Sequence, residues 1–170
     1  MANAQQKQYE VKAGLERLPA FSVVGLSRMI EKGNDEAAEE INQLWQDFFE
    51  ARVAQNLDTR RDDVIYAVYS EYQGDYTKPY RLTIGYRMKD QWDGVLPEML
   101  RAVQVKEADY AMMSAAGEQP KALIEAWQAV WQSDLDRLYQ TDFEVYGPRF
   151  FEEGVHEVLL AVGIRLEGAE

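Results

Sequence analysis

The order strand, helix, strand, strand occurs twice along this chain, and the repeat limits the folds that the sequence can adopt. In each copy, apolar residues at helical spacing are followed by two segments rich in β-branched and aromatic residues. The predicted strands lie at 9–15, 21–26, 64–72, 80–88, 100–105, 109–116, 143–146 and 155–166, and the predicted helices at 34–55 and 120–131. One helix covers only one face of a small sheet, so the two copies are expected to pack together and enclose a cleft.

Both predicted helices have one apolar face that carries tryptophan. Asn34 is expected to cap the first helix, with Asp35 and Glu36 in its first turn, where acidic groups favour the helix dipole. Trp45 lies on the apolar face of the first helix, and Trp127 lies on that of the second. The two halves are therefore expected to bring aromatic rings toward the surface that they share.

The composition excludes several kinds of site. Thirty acidic against eighteen basic residues give a net charge of −12, which opposes direct DNA binding and attachment to anionic membranes. With no cysteine and one histidine, His156, the chain offers no thiolate or histidine-rich metal chemistry, so no metal or cofactor is expected. No apolar run approaches the roughly 18 residues of a membrane span, and residues 1–7 lack the apolar core of a signal peptide. We expect a cytoplasmic protein.

The segment 141–147 is the most informative part of a chain that contains four Trp, ten Tyr and six Phe. Successive side chains of a strand alternate between its faces, so Phe143 and Val145 are predicted on one face and Glu144 and Tyr146 on the other. A carboxylate among aromatic rings is poorly solvated, so its pKa should rise and a cation would offset the cost of the buried charge. From these residues alone, an exposed glutamate on an edge strand is the simpler interpretation.

Glu157 repeats this situation in the last predicted strand. There it shares a face with Leu159, while Val158 and Leu160 point the other way. Two carboxylates on neighbouring strands can then both face the cleft. The sequence leaves a second interpretation equally open, in which Glu157 ends the strand near solvent.

Seven motifs, in this order and spacing, make the chain resemble the GyrI-like effector-binding domain family. Domains of that family are attached to some bacterial AraC-type and MerR-type multidrug regulators and are also found alone. The motifs are LPAFSVVGL at 18–26, LWQDFF at 44–49, IYAVYSEYQGDY at 65–76, YRLTIGY at 80–86, YAMMSAAG at 110–117, IEAWQAVW at 124–131 and TDFEVYG at 141–147. The resemblance covers nearly the whole chain.

The repeat and the resemblance together imply an α+β fold of two tandem β-α-β-β (SHS2-like) repeats with pseudo-two-fold symmetry and a central ligand cleft. A single domain is expected at 8–170, with half-repeats at about 8–90 and 98–166, after a flexible N-terminus at 1–7.

The resemblance also implies a binding site for lipophilic, often cationic compounds. Glu144 matches the glutamate at the base of the pocket in the family's cation-binding members, and Glu157 matches a second acidic position. The expected walls of the pocket are Tyr69 and Trp127, followed by Tyr66, Tyr110 and Tyr146. The last strand departs from the family pattern, because Leu159 stands where a pocket-lining tyrosine is common. The aromatic cage is therefore expected to be incomplete.

Three classes of function are open at this stage. The leading hypothesis is a stand-alone domain that binds amphipathic, cationic small molecules for sensing or sequestration. The alternative is a hydrolase of cyclopropane-bearing or other electrophiles, with Glu144 as general base and Tyr69 or Tyr146 as the proton donor. The third is the regulation of a protein partner such as DNA gyrase. The sequence shows no DNA-binding segment, so direct DNA binding is not expected.

Overall fold

The computed structural model describes residues 12–31, 37–75 and 77–166. Over these residues the chain forms one antiparallel sheet of eight strands together with three α-helices. The elements are β1 (Lys12–Leu18), β2 (Phe21–Ile30), α1 (Ala38–Glu50), a 3-10 turn (Val53–Asn56), β3 (Arg60–Ser70), β4 (Tyr80–Met88), β5 (Arg101–Val105), β6 (Ala108–Ala115), α2 (Lys121–Trp131), β7 (Arg137–Tyr146), α3 (Pro148–Phe151) and β8 (Val158–Ile164). No helix among the described residues is long and apolar enough to cross a bilayer.

The predicted repeat is confirmed by the topology of the sheet. Its strand order is β1-β6-β8-β7-β3-β4-β2-β5. The strands β3 and β7 meet at the centre of the sheet. Counted outward from this centre, the unit β2-α1-β3-β4 has the order β3, β4, β2, and the unit β6-α2-β7-β8 has the matching order β7, β8, β6. The remaining strands are exchanged between the halves, because β1 pairs with β6 and β5 pairs with β2. The chain thus has the predicted α+β fold with two related halves.

The short connections between strands require this sheet to curl. In a flat sheet, six strand spacings, or about 29 Å, would separate β1 from β2. Only Pro19 and Ala20 join these strands, and that length of extended chain spans about 11 Å at most. Contacts across the curl agree with this, because the Phe21 ring of β2 lies 5.4 Å from the Phe143 ring of the central strand β7.

Each face of the curled sheet has its own apolar core. The inner core contains Phe21, Val68, Tyr110 and Phe143, with Tyr66 packed against it. The outer core lies under the two helices. Its helical members recur at three- and four-residue spacing, which is why these segments form amphipathic helices, and they include Leu44, Phe48, Ala122, Ala126, Trp127 and Val130. The two long helices therefore lie on the outer face, α1 against β2 and β4 and α2 against β6.

A pair of glycines allows the strands of the first half to approach closely. Gly25 of β2 lies directly opposite Gly85 of β4. A Cβ atom on Gly25 would stand 1.9 Å from the carbonyl oxygen of Ile84, and one on Gly85 would stand 2.0 Å from that of Val24. Only glycine fits at these two positions.

The structure differs from the predicted boundaries mainly where charged residues continue a strand. β3 begins at Arg60 and β7 at Arg137, several residues before their apolar patterns begin. The predicted last strand loses its first residues, because β8 begins at Val158. The predicted helix start at 34–36 and the beginning of the first predicted strand lie outside the described residues.

Candidate ligand-binding site

Glu144 lies in the middle of the sheet and is closed to solvent. It pairs with Ala67 of β3 on one side and with Leu160 of β8 on the other. Its exposed fraction is 2%. The interpretation of Glu144 as an exposed glutamate on an edge strand is therefore wrong, since β7 has a strand on both sides. The small side chain of Ala67 leaves room for the carboxylate on the outer face.

Three aromatic side chains from three elements donate hydrogen bonds to this carboxylate. The Tyr69 hydroxyl lies 2.7 Å from Glu144 Oε2, and the Trp127 indole Nε1 also lies 2.7 Å from Oε2. The Tyr146 hydroxyl lies 2.6 Å from Oε1. The three donors are each 7% exposed. A carboxylate has about four lone-pair positions, so one position of Oε1 remains beside these bonds.

The sequence places these donors by simple local rules. Tyr146 is two residues after Glu144 in the same strand and so shares its face. Tyr69 shares that face because it lies opposite Asp142, two residues before Glu144. Trp127 is on the apolar face of α2, which packs against β6, and its indole reaches Glu144 from there. We call Glu144, Tyr69, Trp127 and Tyr146 the glutamate site.

The pKa of Glu144 is raised above its ordinary value. Burial disfavours the charged carboxylate and is the dominant cause, while the bonds from Tyr146, Tyr69 and Trp127 oppose it and lower the pKa. No lysine or arginine within the described residues forms an ion pair with Glu144. Burial beside this carboxylate also raises the pKa of Tyr69 and Tyr146 well above the ordinary value, so both hydroxyls stay protonated and act as donors.

Glu144→Gln is expected to stabilise the empty protein at neutral pH, because it removes a buried charge. The pKa of Glu144 is higher in the folded state than in the unfolded state. The wild type therefore has its full stability below about pH 4.3, where Glu144 is protonated in both states, and loses stability as the pH rises through the raised pKa and the buried carboxyl group ionises. Glutamine does not titrate, so the variant's melting temperature should exceed that of the wild type at pH 8 and approach it at pH 4.5. An excess that is the same at both pH values would contradict the assignment.

More aromatic rings connect the glutamate site with the surface. The Trp45 ring of α1 lies 4.9 Å from the Tyr146 ring, and the Phe150 ring of α3 lies 5.0 Å from it on another side. Each of these rings contacts a more exposed neighbour: Phe49 stacks on Trp45 at 5.9 Å, and Phe151 lies 5.1 Å from Phe150. These neighbours are 56% and 62% exposed, respectively. The cover of the site is thus a layer of side chains and not a strand of the sheet.

A buried ion pair lies beside the glutamate site on the same strand. Arg137 Nη2 is 2.8 Å from Asp142 Oδ2, and the two side chains are 4% and 0% exposed. The Tyr72 hydroxyl donates to the same oxygen at 2.5 Å, and the Gly163 amide donates to Oδ1 at 2.8 Å. Trp127 borders both groups, since Arg137 Cζ lies 5.9 Å from its ring centroid. The sequence analysis did not identify this pair.

The structure does not bring the other predicted wall residues to the glutamate site. Tyr66 and Tyr110 lie in or against the inner core, on the opposite face of the sheet, where both contact Phe143. The Tyr110 hydroxyl donates to the Lys106 carbonyl oxygen at 2.5 Å. Their prediction as pocket walls is corrected, because both are one residue out of phase with the face that carries Glu144.

Glu157 is also separate from the glutamate site. It precedes β8, accepts a hydrogen bond from Ser114 and lies 2.5 Å from Arg149 Nε. Leu159 pairs with Val145 and Ser114 on the inner side, so it is not a missing wall of the outer site. Two carboxylates therefore do not face one cleft, and the expected gap in the aromatic cage at Leu159 is corrected as well.

The fold and the site define an effector-binding domain of the GyrI-like kind, which confirms the resemblance that the sequence suggested. More narrowly, the chain belongs to the Cass2 family of integron-associated effector binding proteins, whose defining pattern matches residues 14–162. It is thus a small-molecule-binding protein by family. A comparison with curated proteins finds no significant match.

Three solved structures illustrate the fold. The integron cassette protein VCH_CASS2 from the mobile metagenome of Vibrio cholerae superposes with a TM-score of 0.68 at 22% identity, covering 92% of this chain and 97% of that one. SAV2435, solved with bound tetraphenylphosphonium, gives 0.72 at 16% identity, with coverages of 91% and 94%. The C-terminal domain of EcmrR gives 0.59 at 6% identity, with coverages of 92% and 98%. At these identities, the likeness establishes the shared fold.

Proposed function

We propose that this protein binds amphipathic organic cations at the glutamate site, and that it senses or sequesters them. The observation that carries the proposal is a central, fully buried carboxylate that has three neutral donors and no cationic partner among the described residues. A buried charge without a partner is costly, and a bound cation would supply the missing partner.

The rings around Glu144 suit a cation that carries apolar groups. Tyr69 lies 5.0 Å from Trp127 and 5.3 Å from Tyr80, so several aromatic rings pack together beside the carboxylate. Each ring face adds a cation–π attraction of about 0.5–2 kcal/mol when the contact is desolvated. Apolar substituents on the cation would gain further free energy by leaving water.

Entry of such a ligand requires the aromatic cover to move, because the glutamate site is closed. Trp45 and Phe150 are the rings that lie between Tyr146 and the exposed side chains Phe49 and Phe151. Side-chain rotation opens such a layer without breaking a strand of the sheet. Cation binding thus competes with closed packing, and the closed state lowers the apparent affinity.

The structural neighbours support this ligand class. SAV2435 has been solved with tetraphenylphosphonium, a cation with four aromatic substituents and no titratable group. EcmrR contributes a C-terminal domain of the same fold. A cytoplasmic location belongs to the same proposal and is checked by cell fractionation.

The affinity for tetraphenylphosphonium is expected to be micromolar at pH 8 and to fall several-fold toward pH 5. Because the cation favours the ionised carboxylate, protons compete with it below the raised pKa of Glu144, at a cost of up to about tenfold per pH unit. Tryptophan fluorescence of the purified protein, with Trp127 in contact with the site, measures the binding. No saturable binding at any pH would refute the proposed function.

A control variant tests whether the pH dependence of binding comes from Glu144 or from His156, the one histidine of the chain. Among side chains, histidine is the type whose unperturbed charge changes between pH 5 and 8. His156 Nδ1 lies 2.9 Å from the Phe150 carbonyl oxygen, next to the aromatic cover. His156→Gln should therefore keep the pH dependence of binding. If this variant binds the cation equally well at pH 5 and pH 8, the pH dependence of the wild type arises at the aromatic cover and not at Glu144.

The hydrolase alternative uses the same pair of residues, since the Tyr69 hydroxyl lies 2.7 Å from a carboxylate of raised pKa. Against it, Glu144 Oε2 already accepts two bonds, which leaves Oε1 alone for a water molecule. Incubation with a cyclopropane-bearing electrophile, followed by mass spectrometry, decides between the two functions. Recovery of the unchanged compound favours binding, and a hydrolysed product that disappears in Glu144→Gln favours the enzyme.

A further inference from the structure

Two buried side chains next to the glutamate site hold donors that have no acceptor. They are Arg137, through Nε and Nη1, and Tyr80, through its hydroxyl, within the part of the chain that the structure describes. Buried polar groups are nearly always hydrogen-bonded, and leaving one unpaired destabilises the fold. Both side chains lie beside one ring, because Arg137 Cζ is 5.8 Å and the Tyr80 ring 5.9 Å from the centroid of the Tyr72 ring. Unpaired donors around this ring suit an acceptor that the described residues do not provide.

Arg137 is positioned by an irregularity in β7. The pairing of β7 with β8 shifts register between Arg137 and Asp142, and Tyr139 within this bulge has a left-handed φ of 53°. The bulge places Arg137 Cζ 4.2 Å from the centroid of the Tyr139 ring while Nη2 binds Asp142. A guanidinium over a ring uses its face, so the N–H groups at its edge remain available.

The carboxylate of Asp142 neutralises the charge of Arg137 but cannot satisfy its other donors. Asp142 Oδ2 already accepts bonds from Arg137 and from the Tyr72 hydroxyl, and Oδ1 accepts one from the Gly163 amide. Within the described residues, Arg137 therefore keeps two unpaired donors, Nε and Nη1, while the negative charge of Asp142 cancels its positive charge. Such a cluster suits a neutral acceptor, such as a carbonyl oxygen, better than an anion.

Tyr80 connects this cluster with the glutamate site. Its fully buried ring lies 5.3 Å from Tyr69, which binds Glu144, and 5.9 Å from Tyr72, which binds Asp142. Trp127 makes the same connection on the other side, since it donates to Glu144 and borders Arg137. The Glu144 carboxylate and the pair of Arg137 and Asp142 are thus bordered by the same aromatic side chains.

We infer that Arg137 and Tyr80 form a second subsite, which binds a neutral hydrogen-bond acceptor of the ligand such as an ester or amide carbonyl oxygen. This inference rests on the proposed function and narrows its ligand class. The preferred ligands are organic cations that carry such an acceptor a short distance from the charge. Purely apolar cations fill the aromatic part of the site only.

Two dyes with the same cationic xanthene ring test this inference. Tetramethylrhodamine methyl ester carries an ester on its phenyl group, and tetramethylrosamine lacks that ester. Fluorescence anisotropy should show that the wild type binds the ester dye about tenfold more tightly, as expected for one or two added hydrogen bonds. Tyr80→Phe should lose most of this preference, because its affinity for the ester dye falls more than its affinity for the rosamine.

Tyr80→Phe is a mild probe, because it removes a hydroxyl that has no partner among the described residues and should not lower the melting temperature of the empty protein. Arg137→Lys keeps a positive charge beside Asp142 but loses the planar fork, so it should reduce the preference as well. Tyr66→Phe, on the inner face, is the matched control and should keep it.

The outcomes separate the inference from the function on which it rests. If the wild type binds both dyes equally well, or Tyr80→Phe and Arg137→Lys both keep the preference for the ester, the second subsite is wrong and cation binding still holds. If the wild type binds neither dye, the proposed function fails and the subsite fails with it.

Discussion

Glu144→Gln is expected to weaken the binding of tetraphenylphosphonium by about 10- to 100-fold at pH 8, which corresponds to about 1–3 kcal/mol. Glutamine keeps the shape of the side chain and can still accept bonds from Tyr69 and Trp127 through its amide oxygen, while its NH2 group replaces Oε1 and donates to the Tyr146 hydroxyl. The substitution therefore removes the negative charge and leaves the aromatic enclosure in place. Titration of the tryptophan fluorescence in the two proteins measures the difference directly.

The matched control for this experiment is Glu157→Gln. Both glutamates were candidates for the recognition charge, but Glu157 is bonded to Ser114 and Arg149, whereas Glu144 is bonded to Tyr69, Trp127 and Tyr146. This variant should bind the cation as the wild type does, within about twofold. Equal losses in the two variants would mean that the net charge of the chain, and not one buried carboxylate, attracts the ligand.

The same substitution has opposite effects on binding and on stability, and this combination is informative. A residue that is kept only for packing or for hydrogen bonds would destabilise the fold when it is replaced. Glu144→Gln is instead expected to raise the melting temperature of the empty protein while it lowers the affinity for a cation. A destabilised charge in the unliganded state is what a site for a positive ligand requires.

The sequence contained enough information for part of the glutamate site. The alternation in TDFEVYG correctly separates Glu144 and Tyr146 from Phe143 and Val145, because a strand has a strict period of two. The resemblance to known domains proposed Tyr69 and Trp127, which the structure places against Glu144. Neither the alternation nor the composition indicates that β7 is a central strand, since this depends on the long-range pairing with β3 and β8.

The same period explains why other candidates failed. Tyr66 lies between Ile65 and Ala67, both on the outer face, so its ring must point to the inner one. An aromatic residue in the right strand is therefore no evidence of a pocket wall unless its phase is known. For Glu157, the strand was predicted to begin too early, and the turn before β8 removes the residue from the pattern.

The buried ion pair was missed for a different reason. Arg137 and Asp142 are separated by a bulge, so neither helical nor strand periodicity relates them, and charged residues at 134–142 suggest a solvated loop. Only the finished sheet shows that Asp142 lies opposite Tyr69 and Val162, in the interior. Bulges place side chains by tertiary contacts, which local sequence patterns do not record.

Asp142→Asn is expected to lower the free energy of unfolding by about 3–5 kcal/mol. The substitution leaves the guanidinium of Arg137 buried without its counter-ion, and one amide oxygen must replace two carboxylate oxygens that now accept three bonds. Urea unfolding at pH 7, followed by tryptophan fluorescence, measures the loss. A variant that is already unfolded without urea agrees with the upper end of this range.

The exposed pair of Arg165 and Asp136 provides the control, because these side chains are 61% and 62% exposed and 3.5 Å apart. Asp136→Asn removes a charge of the same kind and should cost less than about 1 kcal/mol, since water already screens that contact. If Asp142→Asn costs no more than this control, the interior around Arg137 is hydrated enough to hold the charge alone. The donors of Arg137 would then find acceptors in water, and the ester preference assigned to the second subsite should be absent from the same protein.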